Sequence, residues 1–191
     1  SEFDYLEKNT RRPYIFNSDD GNFHIVYAGA MLPRAYTTLE ALLEALIIFK
    51  RKYPAAAQKL RFHFIGTGKR PDDPESSTVK PYIERYNLSD IVYEHPARIP
   101  YLDVLNHLRC SSAILIFGSS EEHYSPSKVF QAVLSKRPIV ALLHAKSTAV
   151  DILKEANAGI VVAFDEAKPV YACIDEIVHA LYDAIKYYYS S

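Results

Sequence analysis

Residues Tyr124 to Ala132, YSPSKVFQA, place a hydroxyl, a proline and a lysine at a spacing that builds an anion-binding helix start. Ser125 suits the N-cap, where its hydroxyl accepts an orphan amide hydrogen of the first turn. Pro126 then falls at N1, where its missing N–H costs nothing. Lys128 follows inside the first turn, where a cation opposes the helix dipole unless an anion neutralises it. The stretch also reads as no more than a well-capped helix. The misplaced lysine is the conflict that favours a site.

Upstream, Ala113 to Phe117 (AILIF) is an unbroken apolar run of the kind found in strands buried on both faces, and Gly118 to Tyr124 (GSSEEHY) is a loop. In an open parallel sheet, ligands gather at the carboxyl ends of strands, where the next helix offers free amides and the positive end of its dipole. Phosphate is the guest this geometry suits. Glu121, Glu122 and His123 could supply acid or base groups beside it, and equally read as a solvated loop tip.

Two glycine loops follow other apolar runs. Gly29 to Tyr36 (GAMLPRAY) leads into a helical pattern, and Gly29 permits close backbone approach to a ligand. Gly66 to Lys69 (GTGK) tempts a phosphate-loop reading, yet that motif needs a glycine at His63 and a Ser or Thr at Arg70. A dinucleotide fingerprint fails as well, because its third glycine would fall at Pro71. A tight turn lining a cleft, with Gly66 and Gly68 in it, is what remains.

The elements that position these loops alternate. Strands are expected at Phe23 to Ala28, Arg61 to Ile65, Ile91 to Tyr93, Ala113 to Phe117, Ile139 to Leu142 and Ile160 to Ala163. Helices are expected at Thr37 to Lys50, Val79 to Tyr86, Tyr101 to Arg109, after Ser125, at Ala149 to Glu155 closed by Gly159, and from Val170 to Tyr188. Thr37 and Glu40 match a capping box at the first of these. Such alternation predicts an α/β fold: a doubly wound, Rossmann-like parallel sheet of about six strands with helices on both faces. Residues 1–22 are polar and aperiodic and read as a linker, leaving 23–191 as one domain.

At 191 residues, with 49% hydrophobic residues and a net charge of -1, the chain can bury one sizeable core. The balanced charge offers no footprint for nucleic acid. The 2 cysteines, Cys110 and Cys173, sit apart among apolar neighbours, which predicts a reducing, cytoplasmic setting. No apolar run reaches the roughly eighteen residues that span a bilayer. Seven histidines are scattered without metal-ligand spacing, so no metal site is expected.

The order of elements, with VYAGAMLPRAYTTLEALLEAL (Val26 to Leu46), FHFIGTG (Phe62 to Gly68) and PSKVFQAVLSKRPIVAL (Pro126 to Leu142), resembles the C-terminal, donor-binding half of a GT-B-fold retaining glycosyltransferase of the family 4-like group 1. The resemblance implies that Ser127 and Lys128 hold the diphosphate of a nucleotide sugar, UDP-sugar in first place, as a substrate and with no obligatory metal. It implies that Gln131 meets the ribose. The family has glutamates where this chain has His123 and Gln131, and an Arg and a Lys where it has Ala30 and Ala35. A neutral amide at Gln131 makes a weaker contact than a carboxylate, and Arg34 partly substitutes on the first loop. The implied binding set is therefore Gly29, Ala30, Arg34, Gly66, Gly68, Ser127, Lys128 and Gln131. The same resemblance implies an acceptor-binding N-terminal domain beyond this chain, through which peripheral membrane association would come, and an isolated half without transferase activity of its own. A nucleotide-sugar epimerase-like domain and a non-catalytic flavodoxin-like interaction module remain the rival readings.

Overall fold

The structure is a computed structural model and describes residues 2–9, 11–118 and 127–190. Among the described residues, strands β1 (Phe23–Ala28), β2 (Leu60–Ile65), β3 (Val92–His95), β4 (Ala113–Phe117), β5 (Ile139–His144) and β6 (Ile160–Phe164) form one sheet in the order β3-β2-β1-β4-β5-β6. Every neighbouring pair is parallel. The helices are α1 (Glu2–Lys8), α2 (Tyr36–Lys52), α3 (Pro54–Lys59), α4 (Lys80–Arg85), α5 (Tyr101–Cys110), α6 (Ser127–Leu134), α7 (Thr148–Glu155) and α8 (Ile174–Ser190). This is the doubly wound fold that the alternation predicts.

Strand side chains alternate between two cores, as a pleated sheet requires. Phe23, Ile25 and Tyr27 of β1 pack with Leu39, Leu42 and Leu46 of α2 and with Ile177 and Leu181 of α8. Val26 faces the other way, into the core with Leu108 of α5, Val129 of α6 and Val150 of α7. The chain leaves β1 for β2 and β3 on one side, then returns to lay β4, β5 and β6 on the other. The strand order reverses between β1 and β4, so the crevice of the sheet opens at their carboxyl ends.

Three local expectations change. Helix α2 starts at Tyr36 behind a one-turn 3-10 helix, Pro33–Ala35, and its N-cap is Ala35 with no side-chain cap. The Thr37–Glu40 capping box therefore does not form: Pro33 winds the chain before Thr37 arrives, which leaves Thr37 inside the helix. Gly159 does not close α7. Asn157 takes the left-handed conformation there (φ 47°), while α7 begins as a capped helix, with Ser147 Oγ accepting the Ala149 amide at 3.2 Å. The last helix is split into a 3-10 turn, Val170–Cys173, followed by α8. Residues 1–22 contain α1, whose Phe3 and Leu6 pack on Leu105 of α5, and a segment that buries Phe16. No described helix is long and apolar enough to cross a membrane.

Candidate functional site

Three loops leave the carboxyl edge of the sheet side by side. The Gly29 amide donates to Ile65 O at 2.9 Å and the Gly66 amide to His95 O at 2.8 Å, so each loop is hung on the end of the neighbouring strand. The Gly68 amide donates to Pro96 O at 2.9 Å, which draws the GTG turn against the segment after β3. Gly29 and Gly66 have φ of 142° and 72°, a region that favours glycine.

Across the crevice, α6 sends Lys128 back over the end of β1. Its Nζ lies 5.2 Å from the centroid of the Tyr27 ring and 3.5 Å from the Tyr27 hydroxyl. A Cβ on Gly29 would collide with this ammonium. Burial alone pulls the Lys128 pKa below the usual lysine value, and among the described residues no carboxylate pairs with it. Tyr27 in turn donates its hydroxyl to Ala30 O at 3.1 Å and stacks on Phe117 of β4, with ring centroids 4.5 Å apart. The lysine thus rests at the switch point on an aromatic ring of β1, which a ring of β4 supports in turn.

Gln131, one turn further along α6, is half-buried, and its amide donates to the Tyr101 hydroxyl at 3.5 Å. Lys128 and Gln131 share a slot of about 20 Å³ with Tyr27 and Ala28, room for about one water molecule. Ala30 and Gly68 line a separate cavity of about 540 Å³ with Tyr36, Thr67, Tyr82 and Arg98. Arg34 is exposed on the 33–35 turn, outside the walls of both. Ser127 begins α6. The expected cap residues Ser125 and Pro126, and the loop groups Glu121, Glu122 and His123, lie outside the described residues.

Glu94, which sequence reasoning passed over, organises the second loop. Its carboxylate accepts from the Thr67 hydroxyl at 2.6 Å and from the amides of Thr78, Val79 and Lys80 at 2.9, 3.1 and 2.8 Å. The amides of Val79, the N-cap, and Lys80 open α4 and are capped here by a side chain from β3 instead of a local residue, with the Thr78 amide just before them bound to the same carboxylate. Although burial opposes it, this set of donors holds the Glu94 pKa below the usual carboxylate range. The available signal was a lone carboxylate at the carboxyl end of a strand, in YEHP. Tyr27 was hidden in a run of apolar strand residues.

No protein-family model and no curated protein sequence matches this chain. Solved structures do match in fold. A UDP-forming α,α-trehalose-phosphate synthase from Burkholderia xenovorans superposes with a TM-score of 0.65 at 13% identity, over 98% of this chain and 44% of that one. The synthase from the same organism in complex with glucose-6-phosphate gives 0.61 at 15% identity, over 88% of this chain and 37% of that one. An E. coli trehalose-6-phosphate protein bound with UDP-2-fluoro glucose gives 0.52 at 13% identity, over 89% and 41%. This chain spans less than half the length of each. At such identity the likeness is one of fold, and the fold is the one the sequence resemblance implied, that of a C-terminal GT-B half.

Proposed function

We propose that this chain is the donor-binding half of a glycosyltransferase, taking a nucleotide sugar at the carboxyl edge between β1 and β4. The diphosphate lies against Lys128 and the opening amides of α6, and UDP is the nucleoside diphosphate of first choice. One observation carries this reading: a lysine ammonium, largely desolvated and unmatched by any carboxylate among the described residues, sits against the bare backbone of Gly29. Burying a cation without a counter-charge is unfavourable, and a diphosphate would supply the missing charge through short, charge-assisted hydrogen bonds. The fold shared with UDP-forming synthases, one relative of which is bound with UDP-2-fluoro glucose, supports the same donor.

In this reading Lys128 and the helix amides act on the departing nucleoside diphosphate, stabilising charge that grows as the glycosidic bond to the phosphate breaks. The sugar acceptor binds on a second domain, which a chain spanning 44% of its structural relative leaves room for. Calorimetric titration with UDP, GDP and ADP, repeated on Lys128→Ala, tests the assignment. One nucleotide should bind, and the variant should bind it more weakly by about 1 to 3 kcal/mol. Equal affinity in a folded variant would remove Lys128 from the site. No binding of any of the three would favour the interaction-module reading.

A further inference from the structure

The segment that leads into β1 is strapped onto the sheet by histidines. Phe16 lies on the imidazoles of His24 and His63, with ring centroids 4.7 and 4.8 Å away and planes at 21° and 27°. His107 of α5 holds the backbone of this strap: its Nε2 faces the amides of both Tyr14 and Ile15 at 3.2 Å. Its Nδ1 lies 2.7 Å from Asp103 O, which can only accept. The hydrogen is therefore on Nδ1, Nε2 is bare, and the ring is neutral. A proton on Nε2 would turn an acceptor of two amides into a donor pointing at them.

His63, paired with His24 beneath Phe16, is equally intolerant of a second proton. His24 Nε2 donates to Asp20 Oδ1 at 2.8 Å, and His24 Nδ1 meets His63 Nε2 at 2.9 Å, with one hydrogen between the two rings. His63 is 6% exposed, and its Nδ1 is buried with no partner among the described residues. A proton added there would have no acceptor. The charged and titratable groups facing these rings are Asp20, Arg61 of β2, Tyr93 and His95 of β3, Asp103 of α5, and Tyr14 of the strap itself. Asp20 and Asp103 favour protonation, whereas Arg61, His95 and the imidazoles themselves oppose it. Burial outweighs the two carboxylates, holding His63 down to about 3 and His107 below the ordinary histidine value.

We propose that residues 14–17 form an acid-released latch, closed over the β1–β2 face while His107 and His63 are neutral and open once they take up protons. Each imidazole that is neutral in the closed state and free to titrate near 6.5 in the open one multiplies the open population by up to about thirtyfold at pH 5. Opening withdraws Phe16 from the imidazoles and removes one wall of a cavity of about 510 Å³ that also borders Tyr93 and His95. The latch stands apart from the crevice at Gly29 and Lys128, and it holds whether or not the chain binds a nucleotide.

Amide hydrogen exchange followed residue by residue, expressed as protection factors between about pH 7.5 and about pH 4.5, tests it. Protection of Tyr14 and Ile15 should fall by about tenfold or more on acidification, while Ile25 and Val26 of β1 stay protected. The nitrogen shifts of His107 should report protonation of Nε2 over the same interval. Strap amides that lose protection only together with β1 would overturn the proposal, as would a strap that stays closed with His107 Nε2 protonated.

Discussion

The Lys128 ammonium occupies the space that a side chain on Gly29 would need. The two residues come from opposite sides of the switch point, one after β1 and one at the start of α6, so neither position can be read alone. Gly29→Ala should therefore carry two separable costs. The backbone at φ 142° contributes about 1 to 3 kcal/mol, and displacing the lysine adds to it. In a Lys128→Ala background only the backbone part remains, so the two substitutions should be coupled by about 1 kcal/mol or more. Urea denaturation of the four proteins measures this, and strictly additive costs would mean that the lysine does not rest on Gly29.

Glu94 predicts a pH-dependent stability. Removing its carboxylate strands the amides of Thr78, Val79 and Lys80 and frees the Thr67 hydroxyl, so Glu94→Ala should destabilise the domain by about 2 to 3 kcal/mol at neutral pH. Because the folded pKa of Glu94 lies below its ordinary value, the stabilisation is complete above the usual carboxylate range and disappears as pH falls through the folded value. The gap between wild type and Glu94→Ala should accordingly narrow in acid. Denaturant midpoints at neutral and acid pH decide it, and a gap that stays constant would show that the charge of Glu94 plays no part.

Strands β1 and β4 were legible to the residue, because FHIVYA and AILIF are apolar runs bounded by polar residues or glycine that only a buried strand explains. Lys128 stood out in the sequence through its conflict with the helix dipole, and the structure sets it over the Tyr27 ring beside Gly29. What stayed hidden depends on partners distant in the chain. The capping box at Thr37 looked complete locally, yet the neighbouring Thr38 spends its hydroxyl on Gly118, 80 residues away. Helix α3 was missed although Pro54 stands at its first turn, because its six residues, PAAAQK, are too few to show a helical period. The Glu94 hub draws its donors from two stretches, Thr67 and 78–80, and the histidine latch joins residues from the strap, β1, β2 and α5. Periodicity finds faces, but it does not reveal which polar groups meet across them.

The contact between Thr38 and Gly118 yields the last prediction. Thr38 is 1% exposed and its Oγ1 donates to Gly118 O at 2.9 Å, while the Gly118 amide donates to Leu142 O at 3.0 Å. Gly118 is thereby fixed on both sides at the end of β4, at the start of the connection to α6. Thr38→Val keeps the shape but leaves a buried carbonyl without its donor, at a cost of about 1 to 2 kcal/mol in stability, whereas Thr38→Ser should be close to neutral. Since Lys128 reaches the crevice from the far end of that connection, the Val variant should also weaken nucleoside diphosphate binding, and the Ser variant should not. Calorimetry on both variants at a temperature where each is folded separates the effects: lost stability with unchanged affinity would mean that this hydrogen bond supports the fold without positioning the site.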